Sequence, residues 1–385
     1  MMASKKVLVL GMLDSIHLAR WLGQFENENI AFYLFPSKKF RTINPELLKL
    51  LKNRSKANYK LMSPYYNLSK IGYIDFILCK IIKFFGKDFR RDLLGFTLRT
   101  NTFDFIHALE IQGAGYLYAN LSKELHKKNK LILTNWGSDI YFFQKDKKHD
   151  EMIDKVMSLA SYYSAECQRD YDLVKNYRFS GLFLPCIPNA GGFKKDDFSP
   201  VTKRNHSRNL IICKGYGGLF GRSQIAFPAI EAALIRHSNL NVYFFSVTKD
   251  VLPLVIDLIS KFSSRVTYST VERPLIRSKL MEYFDQAVVY IGCSKSDAIS
   301  TSFLEALAHG VYPIQTNTSC AAEWIEKGAI GSIVALNSAL VKKELLTVLA
   351  NKTLLNRASR SNIIFAKQNL NYEQIQKKSK IFYQL

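Results

Sequence analysis

Two carboxylates, Asp297 and Glu305, stand eight positions apart in Cys293–Glu305, CSKSDAISTSFLE, which continues as ALAHGVYPIQT. The hydroxyl run Ser300, Thr301, Ser302 lies between them, directly before a helical pattern. A carboxylate offers two acceptor oxygens and suits sugar hydroxyls. A helix N-terminus offers unpaired N–H groups and a positive dipole end, which suits a phosphate. The spacing therefore points to a ligand carrying both sugar and phosphate. Val288, Val289 and Ile291 precede the loop as a strand pattern, and Val311, Pro313 and Ile314 follow the helix as another. Strand, polar loop, helix and strand make a βαβ unit, and open α/β sheets bind ligands at the carboxyl ends of their strands.

The segment resembles the donor-binding signature of glycosyltransferase family 4, S-x-x-E-x7-E followed by A-x-A-x-G-x-P-V. Here it reads Ser294-Lys295-Ser296-Asp297, seven residues, Glu305, then Ala306, Ala308, Gly310 and Pro313. Asp stands at the first acidic position, keeping the charge and shortening the reach by one methylene. The resemblance implies an α/β chain of the GT-B fold: two Rossmann-like doubly wound domains with a cleft between them and a C-terminal crossover helix. It implies that Glu305 accepts hydrogen bonds from ribose hydroxyls, that Asp297 reaches the transferred sugar, and that Ser300, Thr301 and Ser302 meet the phosphates. Transfer would proceed with retention, by front-side attack without a protein nucleophile. The residues agree, since neither a Ser-His-Asp order nor a Cys-His pair is evident.

Such a transfer needs positive charge beside the leaving diphosphate. Lys214 ends the strand pattern LIICK and Arg222 opens the next helical pattern, with GYGGLFG near the junction. By resemblance they exchange the family's Arg and Lys on the donor diphosphate. With no D-x-D at a strand end, neither a metal nor a cofactor is expected. In the N-terminal half, Val7–Leu10 reads as a buried strand followed by a tight loop. Gly11 lets backbone approach a ligand, and a helix beginning near Ser15 aims its N–H groups the same way. His107, read at the end of a strand over Phe103–His107, stands where the family carries histidines near the transferred sugar. Asp139 in NWGSDI resembles the family's H-G-x-D/E loop, with Trp136 in place of the His; it would orient the acceptor or cap a helix over IYFF.

The elements that must position these groups alternate along the whole chain, as a doubly wound sheet requires. A chain of 385 residues is long for one core. The Pro-, Gly- and charge-rich stretch NAGGFKKDDFSP marks a linker, and the βα pattern restarts after Asn209. The expected domains are 1–195, on the acceptor side, 196–365, binding the nucleotide sugar, and a helix over 366–385 that crosses back. Six scattered cysteines without a C-x-x-C pair suggest neither zinc nor disulfides, and most read as buried small hydrophobes. No apolar run is long enough to span a bilayer, and a cytoplasmic location is expected.

The net charge is +22, and residues 38–99 hold fifteen Lys/Arg against four Asp/Glu, half of the excess. Within 71–94, Ile74, Ile77, Leu78, Ile81 and Phe85 recur at helical spacing among Lys80, Lys83, Lys87, Arg90 and Arg91. A basic amphipathic segment of this kind suits an anionic membrane surface, here the inner face of the membrane, and a glycan or lipid-linked acceptor in bacterial surface polysaccharide assembly. The competing readings are a sugar-nucleotide epimerase of the same architecture and a basic nucleic-acid-binding protein. Against the latter, no nucleic-acid-binding motif is present.

Overall fold

The computed structural model describes the chain except residues 1–3, 54–55, 63–76, 78–79, 82–88, 190, 201–207 and 385. It divides into two compact units, Met1–Gly192 with Glu373–Leu385, and Phe193–Tyr372. The divisions fall at 192/193 and 372/373, against the expected 195/196 and 365/366.

In the first unit the described strands form one parallel sheet in the order β3-β2-β1-β4-β5-β6-β7. They are β1 (Lys5–Gly11), β2 (Ile30–Pro36), β3 (Asn58–Leu61), β4 (Phe105–Leu109), β5 (Leu131–Thr134), β6 (Tyr162–Ser164) and β7 (Leu182–Phe183). The central strands are near-continuous apolar runs because helices cover both faces of a parallel sheet; Val7 to Leu10 and Phe105 to Leu109 are all buried. The edge strand β7 is only two residues long and exposed, and residues 184–188 after it are irregular.

The second unit repeats the plan in the order β10-β9-β8-β11-β12-β13, again parallel. Its strands are β8 (Leu210–Lys214), β9 (Asn241–Val247), β10 (Val266–Thr270), β11 (Ala287–Gly292), β12 (Tyr312–Thr316) and β13 (Ser332–Val334). In each sheet the chain winds outward one way, then returns beside its first strand and winds the other way. The reversal falls between β1 and β4 and between β8 and β11. At such a switch point neighbouring loops part at the carboxyl ends of the strands and leave room for a ligand.

The C-terminal helix comes in two pieces. Lys352–Asn369 belongs to the second unit, and Tyr372–Ile381 leads into the first. Between them Phe193 pairs with Asn371 as a parallel bridge. Beyond it Ile375, Phe382 and Tyr383 are buried in the first core.

Most of the basic segment 71–94 lies outside the described residues, including Ile74, Leu78, Lys83, Phe85 and Lys87. Ile77, Lys80 and Ile81 are helical and exposed. Arg90 is buried in the helix Phe89–Thr100, whereas Arg91 is exposed and pairs with its neighbour Asp92 at 2.9 Å. The described cysteines are free; Cys167, Cys213, Cys293 and Cys320 are buried, as expected for most of them, and Cys186 is exposed.

Candidate active site

At the switch point of the second sheet, β8 ends on Lys214 and β11 on Gly292. The loops that follow are stitched together by backbone. Gly221 bridges Ser294, Arg222 N donates to Cys293 O at 3.0 Å, and Lys295 N donates to Phe220 O at 2.6 Å. Gly218 N donates to Asp250 Oδ2 at 2.9 Å and Gly217 N to Thr248 Oγ1 at 3.0 Å. The loop turns through Gly218 at φ 68°, and a Cβ on Gly221 would stand 2.0 Å from the Tyr216 carbonyl oxygen. The glycines are therefore what lets this loop close on itself. Arg222 folds back, its Nη1 donating to Gly218 O at 2.9 Å, while Lys214 Nζ lies 5.4 Å from the Tyr216 ring centroid. The two expected cations thus flank one loop, and that loop is bonded to the Cys293–Lys295 stretch.

From this stretch the chain enters the helix Thr301–Ala308. Asp297 is half-buried, its N–H donating to Thr318 O at 3.3 Å. Ser300 holds the N-cap position, but its hydroxyl makes no capping bond; it lies 3.5 Å from the Tyr290 hydroxyl. Ser302 is buried and Thr301 partly so. Glu305 lies one turn in, its side chain 7% exposed, with Arg277 Nε 3.7 Å from Oε1. Arg277, the first residue of the helix Arg277–Gln286, also holds Asp197 at 2.6 Å. Burial pushes the Asp197 carboxyl up, but the Arg277 hydrogen bond and charge outweigh it and hold Asp197 below its ordinary value. Sequence reading missed Arg277. Its partners are 80 and 28 positions away, so no local pattern announces it.

The switch point of the first sheet is built differently. Gly11 ends β1, and Ser15 caps the helix Ile16–Gly23 by accepting from His17 N at 3.1 Å. Opposite, β4 runs straight into a π-turn, Ile111–Gly115, through Glu110 at φ 102° and ψ 151°. That backbone region is essentially glycine's, and a side chain there costs about 1–3 kcal/mol. The Glu110 carboxylate accepts from Gly113 N and Ala114 N, both at 2.9 Å, and pairs with Lys38 at 3.0 Å. Asp139 Oδ2 accepts from Ile111 N at 2.8 Å and Trp136 N at 3.0 Å. Burial, reinforced by the Glu110 charge, raises the Asp139 carboxyl well above its ordinary value. The residues after Asp139 form turns and a short 3-10 segment, Phe143–Lys145, so Asp139 caps no α-helix over IYFF. It ties the Trp136 loop to the π-turn instead.

His107 sits two residues inside the end of β4, because the strand runs Phe105–Leu109 and not Phe103–His107. It is completely buried. The Trp21 indole N–H donates to the Tyr383 oxygen at 3.0 Å. The Tyr383 hydroxyl is thereby free to donate to His107 Nδ1, and His107 Nε2–H to Thr134 Oγ1, each at 2.6 Å. Enclosure pushes the imidazole down to about 3. A neutral histidine thus fastens the C-terminal segment to the first sheet, which corrects the expectation of a side chain at a strand end.

Residues 96–166 match the family described as glycosyl transferase 4-like. No curated protein sequence matches the chain. Among solved structures, Anabaena Alr3699/HepE in complex with UDP-glucose is similar with a TM-score of 0.68 at 13% identity, covering 99% of this chain and 100% of that one. The sucrose-phosphate synthase of Thermosynechococcus elongatus gives 0.67 at 11%, covering 99% of this chain and 98% of that one. A glycosyltransferase from Rickettsia africae gives 0.66 at 13%, covering 99% and 98%. The fold is that of the GT-B glycosyltransferases.

Proposed function

We propose that this chain is a glycosyltransferase that moves a sugar from a nucleoside-diphosphate sugar to a glycan or lipid-linked acceptor with retention. One observation carries the reading most. At the second switch point a helix N-terminus lacking a side-chain cap, a buried acid one turn inside it, and two cations on a glycine loop are assembled by backbone bonds. In this reading Glu305 accepts from the ribose hydroxyls and Arg277 holds its carboxylate in place. The N–H groups at Thr301 and Ser302 take the diphosphate, which suits their partial positive charge. Lys214 and Arg222 stabilise the charge that grows on the leaving phosphate, without a metal. Asp297 orients the sugar. The bond from the anomeric carbon to the phosphate oxygen breaks as the acceptor oxygen bonds to the same face, and the acceptor proton passes to the leaving phosphate. HepE is bound to UDP-glucose, which favours uridine as the base here.

The first unit takes the acceptor, with Asp139 at its switch point; Gly11, ending β1, and Ser15, in the loop after it, offer N–H groups to phosphate, and His107 acts as a structural residue. Exposed Ile77 and Ile81 beside Lys80 support contact between this unit and an anionic membrane surface. No described helix is long and apolar enough to cross a membrane. The place of the reaction is bacterial surface polysaccharide assembly.

Titration calorimetry with UDP, GDP and ADP tests the donor site. Glu305→Ala should weaken the preferred diphosphate by about 10- to 100-fold, the equivalent of a lost charged hydrogen bond, with the fold intact. Unchanged affinity in a folded variant defeats the assignment. Lys214→Ala and Arg222→Ala should lower kcat more than affinity, because only interactions stronger in the transition state accelerate the chemistry. Activity that vanishes in EDTA would defeat the cation clamp. Anomeric configuration of the product, read by NMR, decides retention.

A further inference from the structure

We propose that Asp250 is a positioning residue of the donor site, which fixes the Arg222 guanidinium through the backbone of Gly218. The inference rests on the reading of Arg222 as a diphosphate-binding cation. Asp250 Oδ2 accepts from Gly218 N at 2.9 Å, and Arg222 Nη1 donates to Gly218 O, also at 2.9 Å. Beside them Thr248 Oγ1 accepts from Gly217 N at 3.0 Å. The two side chains thus hold consecutive N–H groups of the glycine loop. A Cβ on Gly217 would stand 2.2 Å from Asp250 Oδ2, so glycine there is what lets the carboxylate lie against the loop. Arg222 gives its hydrogen bonds to the carbonyl oxygens of Gly218 and Gly221, which leave its charge undiminished. Hydrogen bonds from Thr248 and from Gly218 N, with the Arg222 charge, hold the Asp250 carboxyl below its ordinary value.

The chain is bent to bring these side chains to the loop. In a regular parallel ladder a residue bonds to the oxygen of one neighbour and to the nitrogen two residues further on. Gly215 instead donates to Phe245 O at 2.8 Å and accepts from Thr248 N at 3.0 Å, three residues on. On its other side β9 pairs Phe244 with Tyr268 but Val247 with Thr270, three residues against two. Both neighbouring strands thus meet one extra residue at the end of β9. Ser246, at φ 53°, stands within it, in a left-handed conformation that is strained for any residue but glycine. One added residue reverses the face that the following side chains meet. Such a bulge is rare in parallel sheets, and bulges beside active sites re-aim side chains. What this one delivers is Thr248 and Asp250 on the loop that carries Arg222.

The sign of the effect separates positioning from plain charge. Asp250 is an acid near a diphosphate site, so by charge alone its removal tightens the ligand. As a positioning residue it does the opposite: Asp250→Ala loosens the ligand in spite of the lost repulsion. Asp250→Asn keeps an oxygen for Gly218 N and should hold or improve affinity. The free diphosphate carries the full charge of the leaving group. Calorimetry on the full chain, with whichever of UDP, GDP and ADP wild type prefers, therefore reads the clamp directly. Asp250→Ala should weaken that nucleotide about three- to ten-fold. In an Arg222→Ala background it should weaken it no further, because residues that act as one unit are not additive. Asp250 is exposed, so the thermal midpoint of Asp250→Ala should stay close to that of wild type. The proposal is overturned by unchanged or tighter binding in Asp250→Ala, by a loss of the same size in both backgrounds, or by an equal loss in Asp250→Asn. If Arg222→Ala binds as wild type does, the cation clamp fails and this proposal with it. If Arg222→Ala weakens the nucleotide and Asp250→Ala does not, this proposal fails alone. Wild type that binds none of the three nucleotides overturns both.

Discussion

The two switch points occupy the same place in their sheets and are held by different forces. In the second unit the two loops are joined to each other backbone to backbone, through the Gly221–Ser294 bridge and its neighbours, while the Thr248 and Asp250 side chains hold the glycine loop from below. In the first unit they hang on two buried carboxylates: Glu110 accepts from Gly113 and Ala114, and Asp139 from Ile111 and Trp136. Side-chain pairing makes the first site depend on individual acids, and on their charge. The same topology thus yields one site whose two loops meet through backbone and one whose loops meet through buried acids.

The sharpest way to break this contrast is Asp139→Ala. It strands two backbone donors in the interior, and each buried unsatisfied group costs about 1–3 kcal/mol. A loss of about 2–6 kcal/mol in urea unfolding is expected, against less than about 1 kcal/mol for Ser294→Ala, whose loop is held by backbone and whose hydroxyl carries none of those bonds. Equal losses for the two variants would erase the distinction.

A second comparison uses pH. His107 has a folded pKa of about 3, below its ordinary 6.5. A group depressed on folding contributes stability that is present above its unfolded pKa and lost as pH falls toward its folded one. The first unit should therefore weaken below about pH 6.5, by about 1.4 kcal/mol for each pH unit once the unfolded imidazole is fully charged. Trp21 lies in the same hydrogen-bonded chain, so its fluorescence follows the loss, and His107→Gln should flatten this limb. A limb that keeps its slope in His107→Gln assigns the acid sensitivity elsewhere.

The smallest effect sharpens the second site. A functioning Ser N-cap is worth about 1 kcal/mol, but Ser300 makes no capping bond. Ser300→Ala should therefore change ligand-free stability by less than about 0.5 kcal/mol. A loss of 1 kcal/mol or more would show the hydroxyl capping the helix in solution and competing with a phosphate.

The doubly wound character of both halves was legible in the sequence, as was the strand, loop, helix and strand order around residues 288–314. Parallel strands buried on both faces write continuous apolar runs, and a βαβ unit is contiguous in sequence. The pairing of Asp297 with Glu305 on one loop and helix is local for the same reason. Three things belong to the tertiary structure alone. His107 became a core residue because β4 extends two residues further than its apolar pattern suggested, and because its partner Tyr383 is 276 positions away. Arg277 reached Glu305 only when two helices distant in sequence packed side by side on the second sheet. Lys38, Glu110 and Asp139 lie near one another because β2, β4 and β5 end at the same edge of one parallel sheet, with β1 between β2 and β4, though their residues are 72 and 29 positions apart. Periodicity records which side of an element is buried. It carries no record of which distant charge will share that burial, since that is settled by strand order and by the need of each buried polar group for a partner.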